Sequence, residues 1–141
     1  MSWFAAHLIM YVKLKGKRQS RFPVWENIVL IEADSEAQAF HKAEQRGRLE
    51  EGDDEGSFRW GGQPARWVFA GVRKLTTCED PETRPSDGTE VSYSELELDS
   101  QEAVAQLVAG EPVALRYNER FRVKNATGRS EYTGDLCRKR A

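Results

Sequence analysis

Trp25, Glu26 and Asn27 form the segment of the chain whose residue types are most suggestive of chemistry. They stand in a stretch whose alternation otherwise predicts a buried strand, where an unpaired carboxylate or amide costs about 1–3 kcal/mol. One interpretation is a polar pocket with Glu26 and Asn27 as its floor and Trp25 as its wall. The alternative is that both polar residues bond a neighbouring loop or face water at a strand edge.

His7 and Arg73 are the other two candidate binding residues. His7 could act as a general base near neutral pH, whereas a solvent-edge or partly buried histidine is the structural alternative. Arg73 shares a predicted strand face with Trp67, and a basic side chain beside an aromatic ring suits phosphate contact and base stacking. The alternative places Trp67 in the core and lets the arginine extend to water.

No residue pattern nominates a catalytic centre. Glu26 and Glu32 share a strand face, but residues six apart on a strand are separated by about 20 Å, too far for an acid–base pair. The chain also contains no G-x-S-x-G, P-loop or G-x-G-x-x-G motif. We therefore predict no catalytic residues and no cofactor, and an enzyme is the alternative hypothesis.

The supply of soft metal ligands argues against a zinc site. Cys78 and Cys137 are the two cysteines, and His7 and His41 are the two histidines. A structural zinc site needs four such ligands at tight spacing, whereas these four residues come from distant segments. We predict no metal site.

Length and composition limit the class of protein. A chain of 141 residues has room for one main domain, and its 10% of aromatic residues argues against wholesale disorder. No apolar run approaches the length of a membrane span, and the first residues lack the features of a secretory signal. We expect a cytoplasmic protein with reduced cysteines.

Charge is distributed unevenly along the chain. The net charge is −2, yet residues 116–141 hold eight Lys or Arg and three Asp or Glu. A basic tail could bind phosphates through counterion release, or it could be a solvated terminus. Because the preceding residues are acidic overall, we expect nucleic-acid binding to be weak at most.

Two alternating segments, residues 3–14 and 22–33, predict an antiparallel hairpin at the start of the chain. Ser35 with Gln38 three residues later predicts the beginning of a helix. Gly47 is the predicted end of that helix.

Two further strands, residues 58–60 and 66–75, are predicted around a Gly61-Gly62 turn. Gly71 inside the second strand indicates a bulge or the close approach of another group. Later in the chain, Asp99 or Ser100 is the predicted start of a second helix that Gly110 ends.

The fold class that we predict is α+β, a mainly antiparallel sheet with two helices in the order β-β-α-β-β then β-α-β. The predicted organisation is an N-terminal α+β unit, a linker with two prolines, a small β-α-β unit packed on the first unit, and a basic C-terminal tail. Their bounds are residues 1–76, 77–88, 89–118 and 119–141.

Four separated motifs stand in order along the first half of the chain. They are Trp3-Phe4-Ala5-Ala6, Trp25-Glu26-Asn27-Ile28 with the residues up to Ala33, Ser35-Glu36-Ala37, and Trp67 to Leu75 with its Phe69-Ala70-Gly71-Val72 centre. Together they resemble the motifs of a bacterial family of small proteins that is known only as a domain of unknown function. The resemblance covers roughly residues 3–75. It implies a compact α+β domain and brings no reaction, ligand or catalytic residue.

The function that we predict is a non-enzymatic protein-interaction or accessory module, immunity-like or regulatory, in a bacterial cytoplasm. Its partner is an unknown protein or a second copy of the chain, because Trp3, Ile9 and Tyr11 would be a large apolar area to leave in water; a helix of the same chain could cover them instead. One alternative is a small-molecule-binding protein or enzyme with a pocket near Trp25. A second alternative is weak nucleic-acid binding through the basic tail.

Overall fold

The computed structural model of the protein describes residues 1–119. Its strands are β1 (Ser2–Leu14), β2 (Val24–Ala33), β3 (Arg59–Trp60), β4 (Gln63–Thr77), β5 (Leu96–Glu97) and β6 (Arg116–Tyr117), and its helices are α1 (Glu36–Leu49) and α2 (Gln101–Ala109). The predicted order of elements and the α+β class are confirmed. The predicted basic tail lies outside the described residues from residue 120 onward.

A four-stranded antiparallel sheet, in the order β2-β1-β4-β3, forms the larger part of the structure. β1 lies in its interior and pairs with β2 on one side and with β4 on the other. The alternation predicted for β1 explains this interior position, since its apolar face is buried from Phe4 to Val12. Its residues are Phe4, Ala6, Leu8, Met10 and Val12.

α1 covers the apolar face of the sheet. Ser35 is its N-cap, and the Ser35 hydroxyl accepts a hydrogen bond from the Gln38 backbone N–H at 3.1 Å. In a capping box the Gln38 side chain would accept from the N–H of Ser35. Here it accepts from the N–H of Asp34, one residue earlier. Small residues, Ala39 and Ala43, allow the helix to pack closely against the buried face of β1.

Gly47 does not end α1, so this part of the prediction is wrong. The helix continues to Leu49, with Glu50 as its C-cap. Gly47 is buried, and a Cβ at this position would overlap the ring of Phe69 in β4. The glycine is therefore required by the close approach of helix and sheet rather than by a turn.

β4 contains two β-bulges beside β1. The register shifts between His7 and Leu8 and again between Ile9 and Met10. Lys74 pairs with His7 while Val72 pairs with Leu8, so Arg73 is an extra residue on β4. The irregularity indicated by Gly71 is confirmed. The bulge beside Gly71 also moves Arg73 to the face of the sheet opposite Trp67, whereas the two were predicted to share a face.

The C-terminal part of the described chain contains α2 and a two-stranded sheet of β5 and β6. Ser100, not Asp99, is the N-cap of α2, accepting from the Ala103 N–H at 3.0 Å. Gly110 ends the helix in the left-handed conformation with φ of 78°. The sequence predicts strands within residues 89–98 and 112–117. Within each range only two residues, those of β5 and β6, form a ladder.

Replacing Gly47 with alanine tests the packing of α1 on β4. We expect Gly47→Ala to lower the unfolding free energy by about 1–2 kcal/mol, because overpacking costs about 1–3 kcal/mol and outweighs the helix propensity that alanine gains. Urea unfolding followed by circular dichroism measures it. The double variant Gly47→Ala, Phe69→Leu removes the ring atoms that would clash and should be less destabilised than the sum of its single changes. Strict additivity of the two changes would contradict this packing.

Candidate functional site

The predicted pocket of Trp25, Glu26 and Asn27 is divided between the two faces of the sheet. Successive side chains on a strand point to opposite faces. Trp25 is opposite Met10 on the face covered by α1, whereas Glu26 is opposite Ile9 on the other face. The three residues of the predicted pocket therefore lie in two separate environments. One contains Glu26, and the other contains Trp25 and Asn27.

His7 is the centre of the environment that contains Glu26. Its side chain is 0% exposed, so His7 is neither at the solvent edge nor only partly buried. Nδ1 lies 2.7 Å from Glu26 Oε2, and Nε2 lies 2.5 Å from the Ser92 hydroxyl. An ionised carboxylate only accepts, so Nδ1 carries the hydrogen and Nε2 accepts from Ser92.

Arg73 joins Glu26 to the end of the described chain. Its Nε donates to Glu26 Oε2 at 2.7 Å, and its Nη1 donates to Glu119 Oε1 at 2.7 Å. The guanidinium lies 4.5 Å from the ring centre of Tyr117, whose hydroxyl donates to Glu26 Oε1 at 3.3 Å. Arg73 and Trp67 are on opposite faces of the sheet, which corrects the predicted shared face. The cause is the bulge opposite Ile9 and Met10, which shifts the alternation of β4 by one residue between Trp67 and Arg73.

Lys74 completes this group of charges. Its side chain is 0% exposed, and the ammonium donates to Glu119 and to the backbone carbonyl of Tyr93. Glu119 is 3% exposed at its side chain and so forms a buried ion pair with Lys74. We name His7, Glu26, Arg73, Lys74, Ser92 and Glu119 the polar cluster.

Burial and hydrogen bonding set the protonation states in the polar cluster. Burial lowers the pKa of His7 and outweighs its hydrogen bond to Glu26, so the imidazole is neutral at pH 7. Burial by itself raises the pKa of Glu26, but the hydrogen bonds from Arg73 and His7 outweigh it and leave that pKa below its ordinary value. The pKa of Glu119 is lowered in the same way by Lys74 and Arg73.

Ser92, His7 and Glu26 follow the order of a hydroxyl–imidazole–carboxylate relay. However, the imidazole is completely enclosed, and Ser92 also hydrogen-bonds the Thr76 hydroxyl at 3.1 Å. Glu26 is shared with Arg73, whose Nη2 is buried without a hydrogen-bond partner within residues 1–119. We interpret the polar cluster as a structural network that attaches residues 92–93 and 117–119 to the sheet.

The second environment is a cavity of about 660 Å³ on the opposite face. Trp25 and Trp67 line it, with ring centres 4.7 Å apart in an edge-to-face contact. Trp60 packs edge-on against Trp25 at 5.6 Å, and Phe58 stacks on Trp67 at 5.4 Å. We name it the tryptophan cavity. Its remaining walls are Met10, Asn27 and residues 49–55.

The loop that follows α1 forms the acidic wall of the tryptophan cavity. Gly52 exchanges two backbone hydrogen bonds with Trp67, at 2.7 and 3.2 Å, which fix the loop beside β4. Asp53 pairs with Lys15 and accepts from the Gly56 N–H at 3.0 Å. Asp54 has φ of 53°, a conformation uncommon for residues other than glycine.

Sequence reasoning missed most partners in both environments. It named His7, Glu26 and Arg73 but did not bring them together, because the register of β1 and β2 was not known. Lys74 carried a usable signal, because it follows Arg73 and the two charges interrupt a mainly apolar stretch of β4. Ser92 and Glu119 carried none, since they are ordinary polar residues far away in the chain.

The described residues offer no metal centre. Within residues 1–119, no three His, Cys, Asp or Glu side chains are grouped so that they could hold an ion. Cys78 is a free, buried thiol whose pKa burial raises, and Cys137 lies outside the described residues. Neither helix of this part of the chain has the length and apolarity to cross a membrane.

His7 should make the stability of the fold depend on pH. Because its pKa is below the ordinary 6.5 in the folded state, the unfolded chain binds more protons below that pH. We therefore expect the unfolding free energy to fall as the pH drops from 7 to 5. In His7→Gln this slope should be smaller, as measured by urea unfolding at pH 7, 6 and 5. The exposed His41→Gln is the control, and equal slopes for His7→Gln and the natural protein would contradict the assignment.

Lys74→Met tests the buried ion pair. The change removes one of the two cations paired with Glu119 and leaves Arg73, so it should cost about 1.5–3 kcal/mol of unfolding free energy. The double variant Lys74→Met, Glu119→Gln removes both charges and should be less destabilised than Lys74→Met alone. Lys13→Met, an exposed change in β1, should stay within about 0.5 kcal/mol of the natural protein. A double variant worse than either single change would argue against a mutual pair.

Comparison with known families agrees with the architecture described above. Residues 3–93 match the profile of the Domain of unknown function (DUF4288). This range covers the four-stranded sheet, α1 and Ser92, which hydrogen-bonds to His7 from outside the sheet. Neither the curated proteins nor the solved structures provide a significant match. The chain belongs to the DUF4288 family, a family defined as a domain of unknown function.

Proposed function

We propose that the protein is a non-enzymatic interaction module that binds an extended segment of a partner protein along β2. The observation that supports this most is an apolar strand at the edge of the sheet. β2 pairs with β1 on one side, and no strand of residues 1–119 lies on its other side. Natural proteins usually protect such an edge with proline, bulges or charges, since it is a template for another strand.

The outward backbone groups of β2 belong to its even-numbered residues. The carbonyl of Pro23 accepts from the Val12 N–H at 3.1 Å, so odd-numbered residues bond to β1. The carbonyl of Glu32 points away from the sheet and accepts from Lys42 Nζ at 2.7 Å. This bond protects one end of the edge, and residues 26, 28 and 30 remain available to a fifth strand.

The side chains of Ile28 and Leu30 give the edge its apolar character. Ile28 is 51% exposed and Leu30 is 45% exposed, and Val24 is exposed beside them. By contrast, Trp3, Ile9 and Tyr11, whose apolar area favoured a homodimer, are half-buried. Addition of a strand supplies main-chain hydrogen bonds, while alternate side chains provide specificity. A second copy of the chain is one such partner.

A reducing, cytoplasmic setting is part of this proposal. A free buried thiol at Cys78 suits a compartment in which thiols stay reduced. The resemblance to a bacterial family supports the expectation of a bacterial host. An accessory or immunity-like role is the finer expectation of the same proposal.

Ile28→Lys should abolish partner binding without unfolding the protein. Lysine at the centre of the edge opposes strand addition, and an exposed substitution changes unfolding free energy by about 0.5 kcal/mol or less. The readout is capture from native lysate combined with amide hydrogen exchange. We expect one protein to be retained by the natural chain and lost with Ile28→Lys, and the amides of residues 26–30 to become protected in the complex.

Val108→Lys is the matched control, because Val108 is an exposed apolar residue on α2. It should retain the partner. Sedimentation over a range of concentrations tests whether the partner is a second copy. Partner capture that is equal for the natural chain and Ile28→Lys, or protection elsewhere than residues 26–30, would overturn binding along β2.

A second candidate function is binding of a small molecule in the tryptophan cavity. Its volume of about 660 Å³ and its aromatic walls are typical of ligand pockets. Trp25 and Asn27, two of the predicted site residues, line it, and Glu26, His7 and Arg73 do not. The polar cluster offers this candidate no reactive group.

Weak nucleic-acid binding through the basic tail stays a prediction, because residues 120–141 are outside the described part of the chain. Arg73 gives it no support. Its guanidinium is engaged by Glu26 and Glu119.

A further inference from the structure

We propose that the tryptophan cavity binds an organic cation with an apolar body, such as an alkylated ammonium, a polyamine or a guanidinium side chain. This inference rests on the cavity being a ligand pocket, and it adds the charge and the character of the ligand. Two features carry it, an aromatic wall and an acidic wall that face the same space.

The aromatic wall supplies attraction for a positive charge. A cation over the face of a tryptophan is stabilised by the negative face of the ring. Trp25 and Trp67 meet edge to face, and both line the cavity. Met10, which is buried, adds a polarisable apolar surface beneath them. Such walls suit the carbon atoms of an organic ligand, whereas a bare metal ion would need oxygen ligands in place of the rings.

The acidic wall contains five carboxylates, three of which have partners. Within residues 49–55, Glu50 pairs with Arg46 at 3.0 Å, Asp53 pairs with Lys15, and Glu51 accepts from the Phe69 N–H at 2.9 Å. The hydrogen bond from Lys15 lowers the pKa of Asp53, which keeps that carboxylate ionised.

Asp54 and Glu55, the other two acidic residues, have no ion pair within residues 1–119 and line the cavity. A cleft with one sign of charge raises the local concentration of ligands of the opposite sign. An anionic ligand would be repelled from the same space.

The size of the space limits the ligand further. A volume of about 660 Å³ accommodates a molecule of many heavy atoms. The side-chain amide of Asn27 on β2 provides a hydrogen-bond donor and acceptor in the wall. The ligand that fits therefore has a cationic head, carbon atoms in contact with the rings, and room for a polar group.

Titration calorimetry with three probes and an uncharged analogue tests the proposal on the full chain. The probes are benzyltrimethylammonium, spermidine and a short arginine-containing peptide, and the uncharged analogue is benzyl alcohol. We expect at least one cation to bind at least tenfold more tightly than benzyl alcohol and to quench tryptophan fluorescence. Preference for spermidine or benzyltrimethylammonium indicates a free cation, and preference for the peptide indicates a side chain of a partner.

The double variant Asp54→Asn, Glu55→Gln tests the acidic wall. It keeps the shape of the loop, because asparagine tolerates the left-handed conformation of residue 54. We expect about a fivefold loss of affinity for the cation, the effect of two exposed charges, and no change for benzyl alcohol. Glu82→Gln, Asp87→Asn is the matched control, since both residues are exposed after β4, and it should bind as the natural protein does.

The possible failures are distinguishable. Equal binding of cations and benzyl alcohol, abolished in both by Trp25→Ala, would keep the pocket and overturn its preference for cations. No binding of any probe at 10 mM, on the order of the weakest affinity of interest, would overturn the pocket and the cation proposal together. Neither result would affect strand addition at β2, which is tested by Ile28→Lys.

Discussion

The need to satisfy both ring nitrogens of the enclosed His7 connects the parts of the described structure. β1 is buried in the middle of the sheet, so His7 cannot turn to water for hydrogen bonds. β2 supplies Glu26, and a segment far along the chain supplies Ser92. Glu26 is in turn neutralised by Arg73 of β4. His7, through Glu26 and Ser92, therefore connects β2, β4 and the segment around residue 92 that packs on the sheet.

The bulge at Arg73 is what allows β4 to contribute two cations to this network. In a regular strand, Arg73 and Lys74 would point to opposite faces. The extra residue lets both reach Glu119, one at 2.7 Å and the other as a buried pair. A buried charge without a partner is far more costly than a paired one. The bulge in β4 therefore also attaches the segment after β6 to the sheet, because Glu119 of that segment pairs with both cations.

β2 separates the roles of the two faces of the sheet. Its alternation sends Glu26 into the polar cluster, Trp25 and Asn27 into the tryptophan cavity, and Ile28 to the exposed edge. The groups of the polar cluster are engaged with one another, whereas the edge and the cavity present apolar surface and negative charge to the surroundings. Because exposed apolar strands are usually protected, the edge of β2 supports the proposal that a partner strand binds there.

The class and order of the elements could be predicted from the sequence, because they depend on local signals. Alternation gave β1, β2 and β4, Ser35 and Ser100 marked the helix starts, and Gly71 marked an irregular strand. The tertiary structure alone decided that Glu26 belongs with His7 and not with Trp25, and that Gly47 is a packing residue rather than a helix end. These outcomes depend on strand register, on bulges and on contacts between residues such as His7 and Ser92, 85 positions apart. No local pattern encodes such contacts, since they are fixed only when the whole sheet is assembled.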